Sequence, residues 1–131
     1  MEAGISPARE TKKEQSMARP VVHAEIRSSD PDAAREFFGN LFGWTYSEGA
    51  FPGYSFVDTG AEGGPPTAIG PVQGGAECVL FFVGVDDVTA TLQQAEELGG
   101  RIVQPAQAVP GVTFGVLADR QGQMVGVAAQ T

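Results

Sequence analysis

A single histidine, His23, stands in the run VVHAEIR at residues 21–27, with Glu25 two places on and Arg27 two places beyond that. In an extended strand successive side chains alternate, so an imidazole, a carboxylate and a guanidinium share one face while Val22, Ala24 and Ile26 share the other. Such a face supports three readings. The imidazole helps to bind an ion; it hydrogen-bonds a ligand or moves a proton with Glu25 setting its tautomer; or it is a packed ring satisfied by Glu25 or by a backbone carbonyl. Other reactive groups are few. Cys78 is the one thiol, and with nothing nearby in sequence to stabilise a thiolate it reads as buried and inert. Trp44, Tyr46, Phe51 and Tyr54 gather around a Gly/Pro loop, either as a core edge or as an aromatic platform at a pocket mouth or dimer seam. The loop GAEGGPP has neither the lysine nor the strand-then-helix setting of a phosphate cradle, and Pro110-Gly111 reads as a turn without chemistry.

The elements that must position these residues follow from the pattern. VVHAEIR is a predicted strand, and Asp30 caps a predicted helix that accepts Pro31 in its first turn. That helix lines Ala34, Phe37, Phe38, Leu41 and Phe42 along an apolar stripe and ends near Gly43. Residues 44–46, 54–58 and 67–72 read as short strands separated by turn material. Then the pattern repeats. CVLFFVGV (78–85) is a strand, Asp87 caps a helix carrying Val88, Leu92, Ala95 and Leu98, and Gly99-Gly100 ends it. RIVQPA, VTFGVLAD and QMVGVAAQ supply three more strands. Superposing Asp30 on Asp87 also superposes Gly43 on Gly100 and brings His23 onto Leu80. The predicted class is α+β: two tandem βαβββ modules, about 20–73 and 77–131, within one domain at 19–131. One module alone would bury too little surface, so the halves share a sheet system or pair across a dimer.

Composition narrows the partners. The 131-residue chain is 42% apolar and carries a net charge of −8. Residues 1–16 hold three acids and three bases, leaving 13 Asp/Glu against five Arg and no Lys in the remainder. An acidic body of this kind excludes nucleic acid as a partner, because neutralising phosphates needs clustered Lys and Arg. It favours solubility, or attraction of a cationic ligand. No apolar run has the length of a membrane span, and residues 1–18 read as a disordered tail without a secretory layout. A cytoplasmic location is expected, consistent with a lone cysteine.

Three segments, HAEIRSSDPDAAREFFGNLFGW, VDDVTATLQQAEELGG and ADRQGQMVGV, resemble in order and spacing the vicinal oxygen chelate superfamily. That group includes glyoxalase I, extradiol dioxygenases, and the fosfomycin- and bleomycin-resistance proteins. The resemblance spans residues 20–130. It implies curved mixed sheets around a ligand cavity, and in metal-dependent members the first and last strands of each module supply the ligands of one divalent ion. His23 matches the first of these positions. The others fall at Leu80, at Gly126 and near Ala68, none of which offers a donor, so neither a metal nor another cofactor is expected.

The resemblance further implies that His23, Glu25 and Arg27 face the cavity, opposite Leu80, Phe82, Met124 and Gly126, with Phe114, Trp44 and Tyr54 as further candidate contacts. Small residues at former ligand positions suggest a roomy pocket suited to a flat aromatic or polycyclic molecule. The expected function is therefore metal-independent binding of a small molecule, sequestering an antibiotic or other natural product in a homodimer. The alternative is a metal-free isomerase, cyclase or lyase in which His23 and Glu25 handle protons. A metal-dependent glyoxalase or dioxygenase is disfavoured by the ligand count.

Overall fold

The computed structural model describes residues 18–49 and 51–130; the expected tail lies outside them except for Ala18. The first module runs β1 (Val21–Ser28), α1 (Pro31–Phe42), β2 (Thr45–Glu48), β3 (Ser55–Asp58) and β4 (Thr67–Pro71). The second runs β5 (Cys78–Gly84), α2 (Val88–Glu97), β6 (Arg101–Val109), β7 (Val112–Ala118) and β8 (Met124–Gln130). The fold is α+β, as expected. Both helices start where their caps require: the Asp30 carboxylate accepts from the Ala33 amide and the Asp87 carboxylate from the Ala90 amide. Gly43 closes α1 in the left-handed conformation at φ 75°.

All eight strands form one curved, open sheet in the order β2-β3-β4-β1-β5-β8-β7-β6. β1 pairs parallel with β4, and β5 with β8; every other neighbour is antiparallel. The modules meet at the β1·β5 seam, where His23 lies opposite Phe82 and Glu25 opposite Leu80. Because His23 is the counterpart of Leu80 and Glu25 that of Phe82, this crossed pairing is what a pseudo-two-fold axis between the modules produces. The same symmetry relates Glu25↔Ala68 in the first module to Phe82↔Gly126 in the second. Ala68 and Gly126 are thus equivalent positions.

Packing breaks the symmetry. On the convex side, α2 buries Val88 and Leu92 against Val127, with Ile102 and Leu117 alongside. On the concave side Leu80, Phe82 and Val116 form a second cluster with Cys78, Met124 and Phe114. Burying each such side chain contributes about 2 kcal/mol. By contrast α1 has no buried residue, and its expected core stripe leaves Phe37 61%, Leu41 59% and Phe42 55% exposed. α1 leans on β4 and β1, and the described residues leave that stripe uncovered.

Candidate functional site

β1 carries the polar centre of the molecule. Alternation turns His23, Glu25 and Arg27 to the concave face, where Glu25 is 4% and Arg27 6% exposed. An ionised pair survives such burial only when its hydrogen bonds are met. Arg27 Nε donates to Glu25 Oε2 at 2.6 Å, and Tyr54 Oη donates to Glu25 Oε1 at 2.8 Å. His23 Nε2 lies 3.2 Å from the same Oε1 and 3.1 Å from Tyr54 Oη. Arg27 Nη1 then donates to Gln104 Oε1 at 3.0 Å, and Gln104 Nε2 to Gln73 and Gln107. One network therefore links both modules across the concave face.

Its electrostatics set the protonation states. Burial raises the pKa of Glu25, but hydrogen bonds from His23 and Arg27, the charge of Arg27 and the hydrogen bond from Tyr54 outweigh it, so the carboxyl sits below its ordinary 4.5. Tyr54 is pushed far above the usual phenol range, first by burial and then by the neighbouring Glu25 charge. It stays a phenol and a donor. Cys78 is raised by burial, which leaves it a thiol.

Above this network opens a cavity of about 670 Å³. His23, Glu25 and Tyr54 line it together with Phe82, Phe114 and Phe56. The Phe82 ring stands edge-on to His23 with centroids 5.4 Å apart, and edge-on to Phe114 at 6.4 Å. Tyr54 is held against two glycines: a Cβ would come within 2.6 Å of its ring at Gly70 and 2.5 Å at Gly49. Of the ten residues placed at the cavity from sequence, it brings together five: His23, Glu25, Phe82, Phe114 and Tyr54.

Arg27, Leu80, Met124, Gly126 and Trp44 lie elsewhere; Arg27 is 6% exposed and bonds Glu25 and Gln104 instead of lining the cavity. Leu80 is 2% exposed inside the concave core, and Met124 packs beside it. Gly126 does not leave open space, because the Phe82 ring covers it and a Cβ there would lie 2.3 Å from that ring. Trp44 packs on Phe38 and Phe42 of α1, separating it from the Phe51–Tyr54 pair. Cavity residues not singled out include Gln73, Asp86 and the Pro110-Gly111 turn, which closes the rim in addition to joining strands. Gln104 joins the network because β6 shifts register on either side of it, something a simple alternation pattern does not reveal.

The four positions to which the resemblance assigns the ligands of an ion fall at His23, Ala68, Leu80 and Gly126, and the residues there do not fit one. His23 is the sole donor among them. Glu25, the nearest carboxylate, has both oxygens engaged and a guanidinium at its side, where an open three-ligand centre would need free donors. Among the described residues no group of three His, Cys, Asp or Glu side chains is placed to hold a metal.

Comparison with known proteins agrees with this architecture. A family model for a glyoxalase-like domain matches residues 22–128. Proteins of Mycobacterium bovis and Mycobacterium tuberculosis with the provisional name glyoxylase CFP32 are 31% identical over 91 residues, covering 63% of this chain. The chain spans about a third of the length of these curated relatives, 34%. Among solved structures, a glyoxalase/bleomycin resistance protein/dioxygenase superfamily member from Vibrio splendidus superposes with a TM-score of 0.58 at 13% identity, covering 87% of this chain and 100% of that one. Methylmalonyl-CoA epimerase from Mycobacterium tuberculosis superposes at 0.56 with 14% identity, covering 85% and 87%. At such identities the likeness is one of fold. Matched over nearly all its described length, the chain belongs to the glyoxalase-like domain family of the vicinal oxygen chelate superfamily.

Proposed function

We propose that this protein binds a flat, largely apolar organic molecule in the concave cavity without a metal ion, in the manner of a resistance-type sequestering protein. The observation that carries the reading is the cavity itself. Its aromatic walls, Phe82, Phe114 and Phe56, surround a hydrogen-bonding centre whose charges are already paired internally. Apolar walls with a few fixed polar groups are the general form of a small-molecule site. A space of about 670 Å³ suits a two- or three-ring molecule, such as an aromatic antibiotic or related natural product. The exposed apolar faces of α1 and β5 support a homodimer as the working unit. The lone free cysteine suits a reducing cytoplasm.

A metal-free isomerase, cyclase or lyase is the second reading, and the orientation of His23 by Glu25 favours it. Glu25 is a poor base, with Arg27 and Tyr54 occupying its oxygens, so His23 would have to carry the proton alone.

The test is to incubate purified protein with a panel of aromatic natural products, measure binding by calorimetry, and analyse the recovered ligand and bound metals. Saturable one-to-one binding with the ligand returned unchanged is expected. A ligand returned as an isomer or elimination product favours the enzymatic reading. A stoichiometric divalent ion required for binding overturns metal independence.

A further inference from the structure

His23 Nε2 sits between two oxygens, 3.2 Å from Glu25 Oε1 and 3.1 Å from Tyr54 Oη. Tyr54 spends its only proton on Glu25 Oε1. An ionised carboxylate has no proton to give, so the hydrogen in both His23 contacts belongs to the imidazole, and Nε2 carries it. In a neutral ring Nδ1 then holds a lone pair. No described residue bonds Nδ1, and among the described residues the polar side-chain atom sealed without a partner is Arg27 Nη2. Nδ1 is therefore open, on a ring that lines the cavity.

We infer that His23 Nδ1 is the hydrogen-bond acceptor that anchors a ligand at the aromatic end of the cavity, and that the ligand class is a flat ring bearing a weakly acidic hydroxyl, a phenol or enol, whose O–H donates to it. This rests on the binding reading above and specifies its polar contact. A ketone or ether oxygen at the same place would set two acceptors against each other and leave both unpaired. A carboxylate ligand would also meet a body carrying a net charge of −8. A phenol meets neither obstacle. The Glu25 carboxylate, accepting from Nε2–H, pushes electron density toward Nδ1 and strengthens it as an acceptor, while Phe82 and Phe114 offer edge and face to the ring that carries the hydroxyl.

The test uses the fact that the chain has one histidine, so imidazole nitrogen resonances need no assignment. Long-range proton–nitrogen correlation on the free, uniformly labelled protein is expected to show Nε2 protonated and Nδ1 bare. Titration with 2-naphthol and with 2-methoxynaphthalene, its methyl ether, is expected to give about tenfold tighter binding of the naphthol, the worth of one hydrogen bond. The Nδ1 resonance should move only with the naphthol, and His23→Phe should abolish the preference. Should that variant not fold, the wild-type measurements decide alone. Protonated Nδ1 in the free protein, or equal affinities for the two probes, overturns the acceptor role and leaves the cavity reading standing. Binding of neither probe overturns both.

Discussion

Glu25 shows how one buried carboxylate organises the site. Its oxygens receive Arg27 Nε, Tyr54 Oη and His23 Nε2, and removing it would leave Arg27, already lacking a partner at Nη2, as a buried cation without a counter-charge. Breaking a buried pair from one side costs about 3 to 5 kcal/mol, so Glu25→Gln should lower unfolding stability in urea by about 3 kcal/mol at pH 7. A loss under 1 kcal/mol would show that Arg27 finds water instead. The sign of the pH dependence follows from the depressed Glu25 pKa. The folded state holds this proton more weakly than the unfolded chain, so the stabilisation is fully present above the ordinary value of 4.5 and is lost as pH falls through the lower folded value. Urea unfolding from pH 7 down to 3 should show that decline in the wild type and a shallower one in Glu25→Gln. Tyr54→Phe keeps the ring between its glycines but withdraws one donor to a charged acceptor. It should cost about 1.5 to 3 kcal/mol by the same measurement.

At the scale of elements, placement depends on how strands pair rather than on what each strand contains. Much of the architecture was legible: the capped helices, the repeat and the polar face of β1 are local patterns of charge, period and turn residues. The site was legible only in part. Tyr54 reaches Glu25 because β3 pairs with β4 and glycines admit its ring, and Gln104 reaches Arg27 because β6 shifts register; both depend on long-range pairing. Gly126 shows the converse error. A missing side chain on the last strand suggested open space, whereas Phe82, its neighbour across the β5·β8 ladder, lays its ring there. Interiors close-pack, so a small residue at a core position is more often covered by a large neighbour than left empty. Gly126→Ala should force the Phe82 ring toward His23 and the cavity, at about 1 to 3 kcal/mol of overpacking and with weakened ligand binding. Gly70→Ala, whose Cβ would press within 2.6 Å of Tyr54, should instead disturb the histidine resonances directly. If Gly126→Ala leaves both stability and binding intact, Phe82 has room to rotate and does not define the wall.

For the whole molecule the asymmetry between the helices matters most. α2 is seated on a core, whereas α1 presents Phe37, Leu41 and Phe42 outward, and beside it on the convex face β5 exposes Val79 at 74% and Phe81 at 47%. Phe81 pairs with Ala24 and Val79 with Ile26, so β5 continues the face of β1 on which α1 leans. Large apolar side chains exposed in this number on one face often mark an interface, and closed two-fold pairing of identical chains is the commonest way to cover it. Charge opposes that pairing, since each copy brings a net −8. Hydrophobic contact near the axis must exceed a repulsion that salt screens over about 8 Å at physiological ionic strength. Sedimentation equilibrium at tens of micromolar should therefore give twice the 13.6 kDa chain mass, with association tightening as salt rises from low to physiological levels. A double variant, Phe37→Asp with Phe81→Glu, should sediment as a folded monomer with unchanged far-ultraviolet circular dichroism. A wild-type monomer across that range, or a double variant that still dimerises, would remove α1 and β5 from the interface.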